Sequence, residues 1–143
     1  MSKLFERLEE LKIERGLTNQ IIAQNTHTTE TSIARFIKGT RAPIYETFIH
    51  LLYYFDCSAD YLLGLDEIPP NEPLHEVLPF DERLRTVLQE RGVSQAQLHR
   101  TIGGSTSAIF KWLNGISLPS TDRLIAIAKC LDCSVDYLIG RRR

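Results

Sequence analysis

Two cysteines, Cys130 and Cys133, are separated by two residues, which is the spacing of a zinc-binding or redox-active pair. A four-ligand zinc site needs two further ligands, and the sequence offers no second pair. Four histidines also lack metal-ligand spacing: His27, His50, His75 and His99. Small thiols buried near a helix end explain the cysteine pair better. The sequence therefore predicts neither a metal nor a cofactor.

Motifs for catalysis are absent from the sequence. It has no nucleophile elbow, no Gly-rich phosphate loop and no paired-carboxylate motif. The two small domains inferred below leave little room for a catalytic cleft. We therefore expect neither an enzyme nor a small-molecule substrate.

The composition is that of a folded, soluble protein. Of 143 residues, 43% are hydrophobic and 24% are charged. No apolar run approaches the roughly 18 residues of a membrane span, and residues 1–16 do not resemble a secretory signal. These features predict a cytoplasmic protein with no membrane partner. The net charge of -1 does not by itself indicate a nucleic-acid partner, so local features must decide.

The chain contains one unit written twice. A shift of 76 positions aligns the halves without a gap, with about 17 identities in roughly 61 pairs. The closest match places DCSADYLLG, residues 56–64, on DCSVDYLIG, residues 132–140. Two tandem copies are therefore predicted, over residues 1–65 and 80–143.

Residues 66–79 are predicted to link the copies. They contain four of the six prolines and four acidic residues, with no Lys or Arg. Proline opposes helix and favours an extended chain, and about 14 residues could reach roughly 45 Å. Alternatively, Leu74, Val77 and Leu78 pack on a domain and shorten this reach.

Each copy is predicted to form five short helices and no strand, because apolar residues recur at helical spacing and never alternate. In copy two the first helix spans residues 80–91 and ends at Gly92, a left-handed C-cap. Ser94 and Gln97 match the capping-box pattern, and the second helix stops at Gly103. The remaining helices are opened by Ser105, by the segment Pro119-Ser120-Thr121-Asp122 and by Ser134.

The second helix, a tight turn and the third helix have helix-turn-helix geometry. In this geometry the second helix crosses the phosphate backbone of a duplex and the third enters the major groove. Base edges are readable there.

Both copies resemble the lambda-repressor-like helix-turn-helix family, also called Cro-repressor or Xre-like. In copy one the resemblance is carried by Gly16-Leu17-Thr18-Asn19, Ala23, Thr28-Thr29-Glu30-Thr31-Ser32-Ile33 and Gly39. In copy two it is carried by Gly92-Val93-Ser94-Gln95, Gly103, Ser107-Ala108-Ile109, Trp112 and Gly115. The expected fold is all-α: two tandem five-helix domains of this type, joined by a Pro-rich acidic linker.

The resemblance implies sequence-specific binding of double-stranded DNA, usually by a bacterial or phage transcriptional regulator, and here most simply by a repressor. It places eight side chains toward bases: Thr29, Glu30, Thr31, Arg35, Ser105, Thr106, Ser107 and Lys111. It places seven near phosphates: Asn19, Lys38, Thr40, Arg41, Gln95, Asn114 and Ser117. Arg35 and Lys111 can donate to guanine, and Glu30 can accept from cytosine. Thr29 and Ser105 are expected to cap helices as well.

The copies depart from the family pattern at one position each. His27 lies where a turn glycine is usual, so it would need a left-handed backbone. His99 lies where a small residue usually allows the second and third helices to approach.

The copies also differ in charge. Residues 1–65 hold seven basic and eight acidic side chains, and residues 80–143 hold ten and six. Because phosphate neutralisation dominates DNA affinity, this difference predicts stronger binding by copy two. The terminal arginines 141–143 could add phosphate contacts or remain solvated.

The fourth helix of copy one, which includes TFIHLLYYF, is apolar all round. Four residues are therefore predicted to form an interface with a second protomer, as in a homodimer, or with the other repeat: Phe48, Leu52, Tyr53 and Tyr54. The alternative is that the tyrosines bury their rings and expose only their hydroxyls.

A second class of function stays open. The protein could be an adaptor, such as an antitoxin or anti-repressor, in which the helix-turn-helix fold binds another protein. That function requires an acidic or apolar outer face on the third helix, and Glu30 favours it in copy one.

Overall fold

The computed structural model describes residues 2–143, and these residues form ten helices and no strand. The prediction of an all-α protein is confirmed. The chain divides into two compact units, with the boundary between Glu72 and Pro73. We call them domain 1 and domain 2. No helix among the described residues is long and apolar enough to cross a membrane.

Five helices are described in each domain. Those of domain 1 are α1 Leu4–Glu14, α2 Asn19–Asn25, α3 Glu30–Lys38, α4 Tyr45–Phe55 and α5 Ala59–Leu62. Those of domain 2 are α6 Phe80–Arg91, α7 Gln95–Ile102, α8 Thr106–Leu113, α9 Thr121–Cys130 and α10 Val135–Ile139. Each helix of domain 2 begins 76 residues after its counterpart in domain 1, so the repeat in the sequence is a repeat of structure.

Hydroxyl side chains begin seven of these helices by accepting a backbone N–H of the first turn. They are Thr18, Thr29, Ser58, Ser94, Ser105, Ser120 and Ser134. The predicted capping box is present, since Gln97 N–H donates to Ser94 Oγ at 3.1 Å and Ser94 N–H donates to Gln97 Oε1 at 2.7 Å. Gly92 ends α6 in the left-handed conformation, as predicted.

Each domain closes on its own apolar core. Domain 1 fully buries Leu8, Ile22, Ile33, Phe48, Leu51, Leu52, Phe55, Leu62 and Leu63. Domain 2 fully buries Leu84, Val87, Leu98, Leu124, Ile127, Val135, Leu138 and Ile139, with Ile109 at 1% exposure. These cores hold α3 against α1 and α2, and α8 against α6 and α7. They therefore fix the two helices on which the predicted site lies.

The segment predicted as a linker is divided between the two domains. Its end is bonded to the C-terminus of domain 2, because His75 N–H donates to Arg141 O at 2.8 Å and Leu78 N–H donates to Ile139 O at 3.0 Å. Its start belongs to domain 1, where Asp66 N–H donates to Asp60 O. The residues between these attachments are 67–74.

Candidate nucleic-acid interface

In domain 2 a pair of glycines makes the turn between α7 and α8. Gly103 has φ 69° and ψ -159°, a conformation that is essentially restricted to glycine. Gly104 has φ 89°, and a Cβ there would overlap the guanidinium of Arg123. That guanidinium donates to Ile102 O at 2.8 Å and to Gly103 O at 2.6 Å. Arg123 thus satisfies the last carbonyls of α7, and Gly104 leaves space for it.

Domain 1 makes the corresponding turn without glycine and with one left-handed residue in place of two. His27 has φ 55°, so the left-handed backbone expected at this position is present. Its ring lies against that of His50, with centroids 4.7 Å apart. The buried hydroxyl of Thr26 donates to Ile22 O at 2.7 Å, which satisfies one carbonyl of α2.

The outer side of α8 is exposed along its whole length. The predicted base-facing residues Ser105, Thr106, Ser107 and Lys111 are all exposed. The Ser105 and Ser107 hydroxyls lie 2.9 Å apart, within hydrogen-bond distance, so each is partly occupied by the other. The ammonium group of Lys111 makes no hydrogen bond or ion pair among the described residues, and the residue is exposed.

The outer side of α3 has the same exposure and more charge. Glu30, Thr31 and Arg35 are exposed, and Thr29 is exposed while capping the helix. Thr29 Oγ1 accepts the Ser32 N–H at 3.0 Å and donates to Ser32 Oγ at 2.9 Å. Both expected roles of Thr29, capping and exposure toward a ligand, are compatible with this geometry.

The residues predicted to contact phosphates lie at the edges of these helices. Gln95 is exposed at the start of α7, whereas its counterpart Asn19 is half-buried. Lys38 and Arg41 are exposed at and after the end of α3. Three further residues predicted to contact phosphates are bonded within the domain or are half-buried. Thr40 Oγ1 donates to Arg35 O, Asn114 Nδ2 donates to Phe110 O at 2.7 Å, and Ser117 is half-buried.

Two exposed residues of the same region were not predicted. Phe110 lies on the outer side of α8, one turn after Thr106, with 53% of its surface exposed. Arg100 is exposed on α7. Helical spacing from Thr106 could have identified Phe110, since residues four apart share a face. The family pattern alone did not include it.

A shallow cleft lies between α7 and α8 in domain 2. Its volume is about 320 Å³, and it is lined by Gln95, Ala96, His99, Thr106 and Ile109. His99 occupies the position at which a small residue usually allows the second and third helices of the domain to approach. His99 Nε2 lies 3.1 Å from Gly104 O in the turn, and α7 and α8 still pack together.

The predicted interface on α4 requires a correction. Phe48 and Leu52 are fully buried within the core, so they are not available to another protomer. Tyr54 is half-buried and Tyr53 is 45% exposed. Tyr45, at the start of the same helix, is buried, and this burial raises the pKa of its phenol, with a smaller contribution from Tyr53. An interface on this helix would involve only its tyrosine edge.

The first terminal arginine is part of the fold and not a free phosphate ligand. Arg141 is 3% exposed, its Nη1 donates to His75 O at 3.3 Å, and its Nε lies 3.9 Å from Asp136 Oδ1. Arg143 Nε donates to Gly140 O at 3.3 Å. The tail is therefore folded back on domain 2.

The described residues include no group of three or more His, Cys, Asp or Glu side chains that could hold a metal ion. Cys130 and Cys133 are half-buried free thiols, and Cys57 is a buried one.

Comparison with known proteins agrees with this geometry. A family model described as "Helix-turn-helix" matches residues 84–138, and one described as "Helix-turn-helix domain" matches residues 5–67. The chain is also similar to "Repressor protein C2" of Salmonella phage P22, with 36% identity over 58 residues. That alignment covers 41% of this chain and 27% of the phage protein. No solved structure matches the chain.

Both halves of the molecule are therefore helix-turn-helix domains, and the class of protein is a tandem helix-turn-helix protein. The two family models and the phage repressor together support the resemblance to the lambda-repressor-like, or Xre-like, helix-turn-helix family. The resemblance inferred from the sequence is confirmed.

Proposed function

We propose that this protein is a sequence-specific DNA-binding transcriptional regulator that acts as a repressor and places α3 and α8 in major grooves. The observation that carries the proposal is the outer side of α8. It is exposed from Ser105 to Asn114, it bears the unpaired cation Lys111, and it contains no acidic side chain. A helix with these properties fits the width and the negative potential of a major groove.

The local charge of both domains supports the proposal. We define the helix-turn-helix segments as residues 19–44 of domain 1 and residues 95–120 of domain 2. The first contains three basic and one acidic side chain, and the second contains two basic and none acidic. Each segment therefore has a net charge of +2, although the whole chain is slightly negative. The helix dipoles add to this positive potential, because the N-termini of α7 and α8 carry partial positive charge.

The tandem arrangement suggests that one chain engages two half-sites. Half-sites one helical turn apart are separated by roughly 34 Å. The segment 67–74, which lies between the outermost backbone attachments of the two domains, can span about 30 Å when extended. Linked modules of modest affinity gain from each other, since binding of the second becomes intramolecular.

The direction of regulation is proposed from the phage relative, whose name describes a repressor. The alternative, a protein-binding adaptor, is favoured by two observations. Phe110 makes part of the outer side of α8 apolar. Glu30 is exposed on the first turn of α3, where an acidic side chain would repel phosphate.

The test is equilibrium binding of the full chain to mixed genomic DNA fragments and to a pool of random duplexes, measured by fluorescence anisotropy at several salt concentrations. We expect log K to fall linearly with log salt, with a slope of about -0.9 for each phosphate contacted. A subset of pool sequences should be enriched by repeated selection. Absence of binding at every salt concentration would contradict the proposal and favour the adaptor.

A further inference from the structure

Phe110 is the most exposed aromatic side chain among the described residues, with 53% of its surface accessible. Four of the other five phenylalanines are at most 3% exposed, and Phe5 is 37% exposed. A single exposed apolar residue is ordinary on a protein surface. Phe110 differs from an ordinary exposed residue because it lies within the proposed DNA interface.

The helix geometry places Phe110 at the centre of the outer side of α8. At about 100° per residue, its side chain lies about 40° from Thr106 and about 60° from Ser107 around the helix axis. Ile109 and Trp112 point to the opposite side and are buried, at 1% and 5% exposure. Phe110 therefore projects in the same direction as the residues predicted to face bases.

The polar neighbours of Phe110 are partly engaged with groups of their own helix. Ser105 and Ser107 are short and bond each other. Asn114 donates one amide N–H to Phe110 O, which leaves its second N–H and its Oδ1 open to other partners. The side chains of Lys111 and Thr106 make no hydrogen bond among the described residues, and Lys111 can donate to guanine. Phe110 adds an apolar surface beside these polar groups.

We propose that Phe110 is a specificity-determining residue that contacts the C5-methyl group of a thymine in the major groove. The inference rests on the proposed function. Thymine is the base that presents an apolar group in that groove, and an aromatic ring that cannot donate or accept a hydrogen bond has no polar partner there. The recognised sequence of domain 2 therefore contains an A·T pair under the centre of α8.

Domain 1 provides a natural contrast. Its counterpart of Phe110 is Ala34, which is half-buried and followed by the exposed Arg35. A methyl side chain at this position projects much less than a phenyl ring. The two domains are therefore expected to read different half-sites, with the thymine requirement confined to that of domain 2.

The experiment uses duplexes that the full chain selects from a random pool. Each thymine of the selected site is replaced singly by deoxyuridine, which removes the methyl group and preserves every hydrogen-bonding group. We expect one thymine, or two adjacent ones, at which uracil weakens binding by about fourfold, the value of one buried methyl group. Phe110→Ala should weaken binding to the thymine duplex by at least as much, and it should abolish the uracil effect at that position.

Lys111→Ala is the matched control on the same helix face. It should lower affinity and reduce the salt dependence while the uracil effect persists. Since Phe110 is exposed, the circular dichroism spectrum and thermal midpoint of Phe110→Ala should remain those of the unaltered chain. A changed oligomeric state of Phe110→Ala with an unchanged uracil profile would overturn the inference in favour of a protein contact.

The inference and the proposed function fail differently. If the unaltered chain selects a sequence but the uracil profile is the same in Phe110→Ala, the thymine contact is wrong and DNA recognition stands. If the unaltered chain binds no duplex, both are wrong.

Discussion

Domain 1 and domain 2 differ in total charge but not in the charge of the surfaces proposed to bind DNA. Residues 1–65 have a net charge of -1 and residues 80–143 have +4, whereas both helix-turn-helix segments have +2. We therefore expect the local charge of these segments, and not the total charge of each domain, to govern phosphate binding. We revise the expectation that domain 2 binds more strongly and expect comparable electrostatic contributions.

The difference arises because domain 2 uses arginines to hold its helices together. Arg83 donates to Tyr137 O at 2.6 Å, Arg85 to Leu113 O at 2.7 Å, and Arg123 to the carbonyls that end α7. In domain 1, Arg15 has such a role, donating to Phe55 O at 2.7 Å. A cation bonded to the last carbonyls of a helix complements the helix dipole, and the donors used in this way are not available to bond a phosphate.

The largest expected effect concerns the arginine at the end of domain 2. Arg141→Ala should lower the free energy of unfolding of domain 2 by about 3 kcal/mol, because it leaves Asp136 buried without its cation. The measurement is urea unfolding followed by the fluorescence of Trp112, which is the one tryptophan in the sequence and reports on domain 2.

The control for Arg141 is its counterpart in domain 1, Leu65, which is 40% exposed. Leu65→Ala should change the stability of domain 1 by less than about 1 kcal/mol. If Arg141→Ala left the unfolding of domain 2 unchanged and instead weakened DNA binding, the tail would be a phosphate ligand after all.

The next effect compares the exposed cations of the two domains in the full chain. Replacing Arg35, Lys38 and Arg41 by Ala should reduce the magnitude of the salt slope by about 2.7, and replacing Arg100 and Lys111 should reduce it by about 1.8. The first set should lower affinity roughly 100-fold or more at moderate salt. The measurement is anisotropy titration of a selected duplex against salt.

Removing an acidic side chain should have the opposite effect on DNA affinity. Glu30→Gln should raise affinity, because it removes the acidic side chain from the start of α3. A far greater loss from the domain 2 set than from the domain 1 set would show that total charge governs binding and that our comparison is mistaken.

The smallest effect tests the two ways of making the turn. Gly104→Ala should lower the stability of domain 2 by about 2 kcal/mol, since the backbone has φ 89° and the added Cβ would displace Arg123 from the end of α7. Thr28→Ala, at the same place in domain 1, should have little effect because Thr28 does not have a left-handed backbone. Trp112 fluorescence and circular dichroism distinguish the two domains in urea unfolding, and equal losses would contradict this account.

Much of the fold could be predicted because its signals are local. The caps Ser94, Ser105 and Ser134 and the stop at Gly92 are short-range features of the chain, and the structure places helix boundaries at them. The repeat added independent support, since each helix was indicated twice. The left-handed backbone at His27 also followed from the family pattern, which usually has a turn glycine at that position.

The sequence prediction was wrong where contacts between distant parts of the chain determine which side chains are buried. The apolar stretch around Phe48 and Leu52 was interpreted as an interface, but both side chains are enclosed by the core of their own domain. Periodicity cannot distinguish a helix covered by its own domain from one covered by a partner, because both are apolar on more than one side.

By itself, the sequence determined the all-α class, the duplication, the helix boundaries and the family, since caps, glycine stops and residue spacing act over a few positions. The tertiary structure alone decided which cationic side chains are exposed to a ligand and which bond carbonyl groups within the fold. Arg123 and Arg141 lie far along the chain from Gly103 and His75, the residues whose carbonyls they bind. Only the packing of distant helices brings those partners together, and so only the folded domain reveals that Phe110 and Lys111 stay exposed.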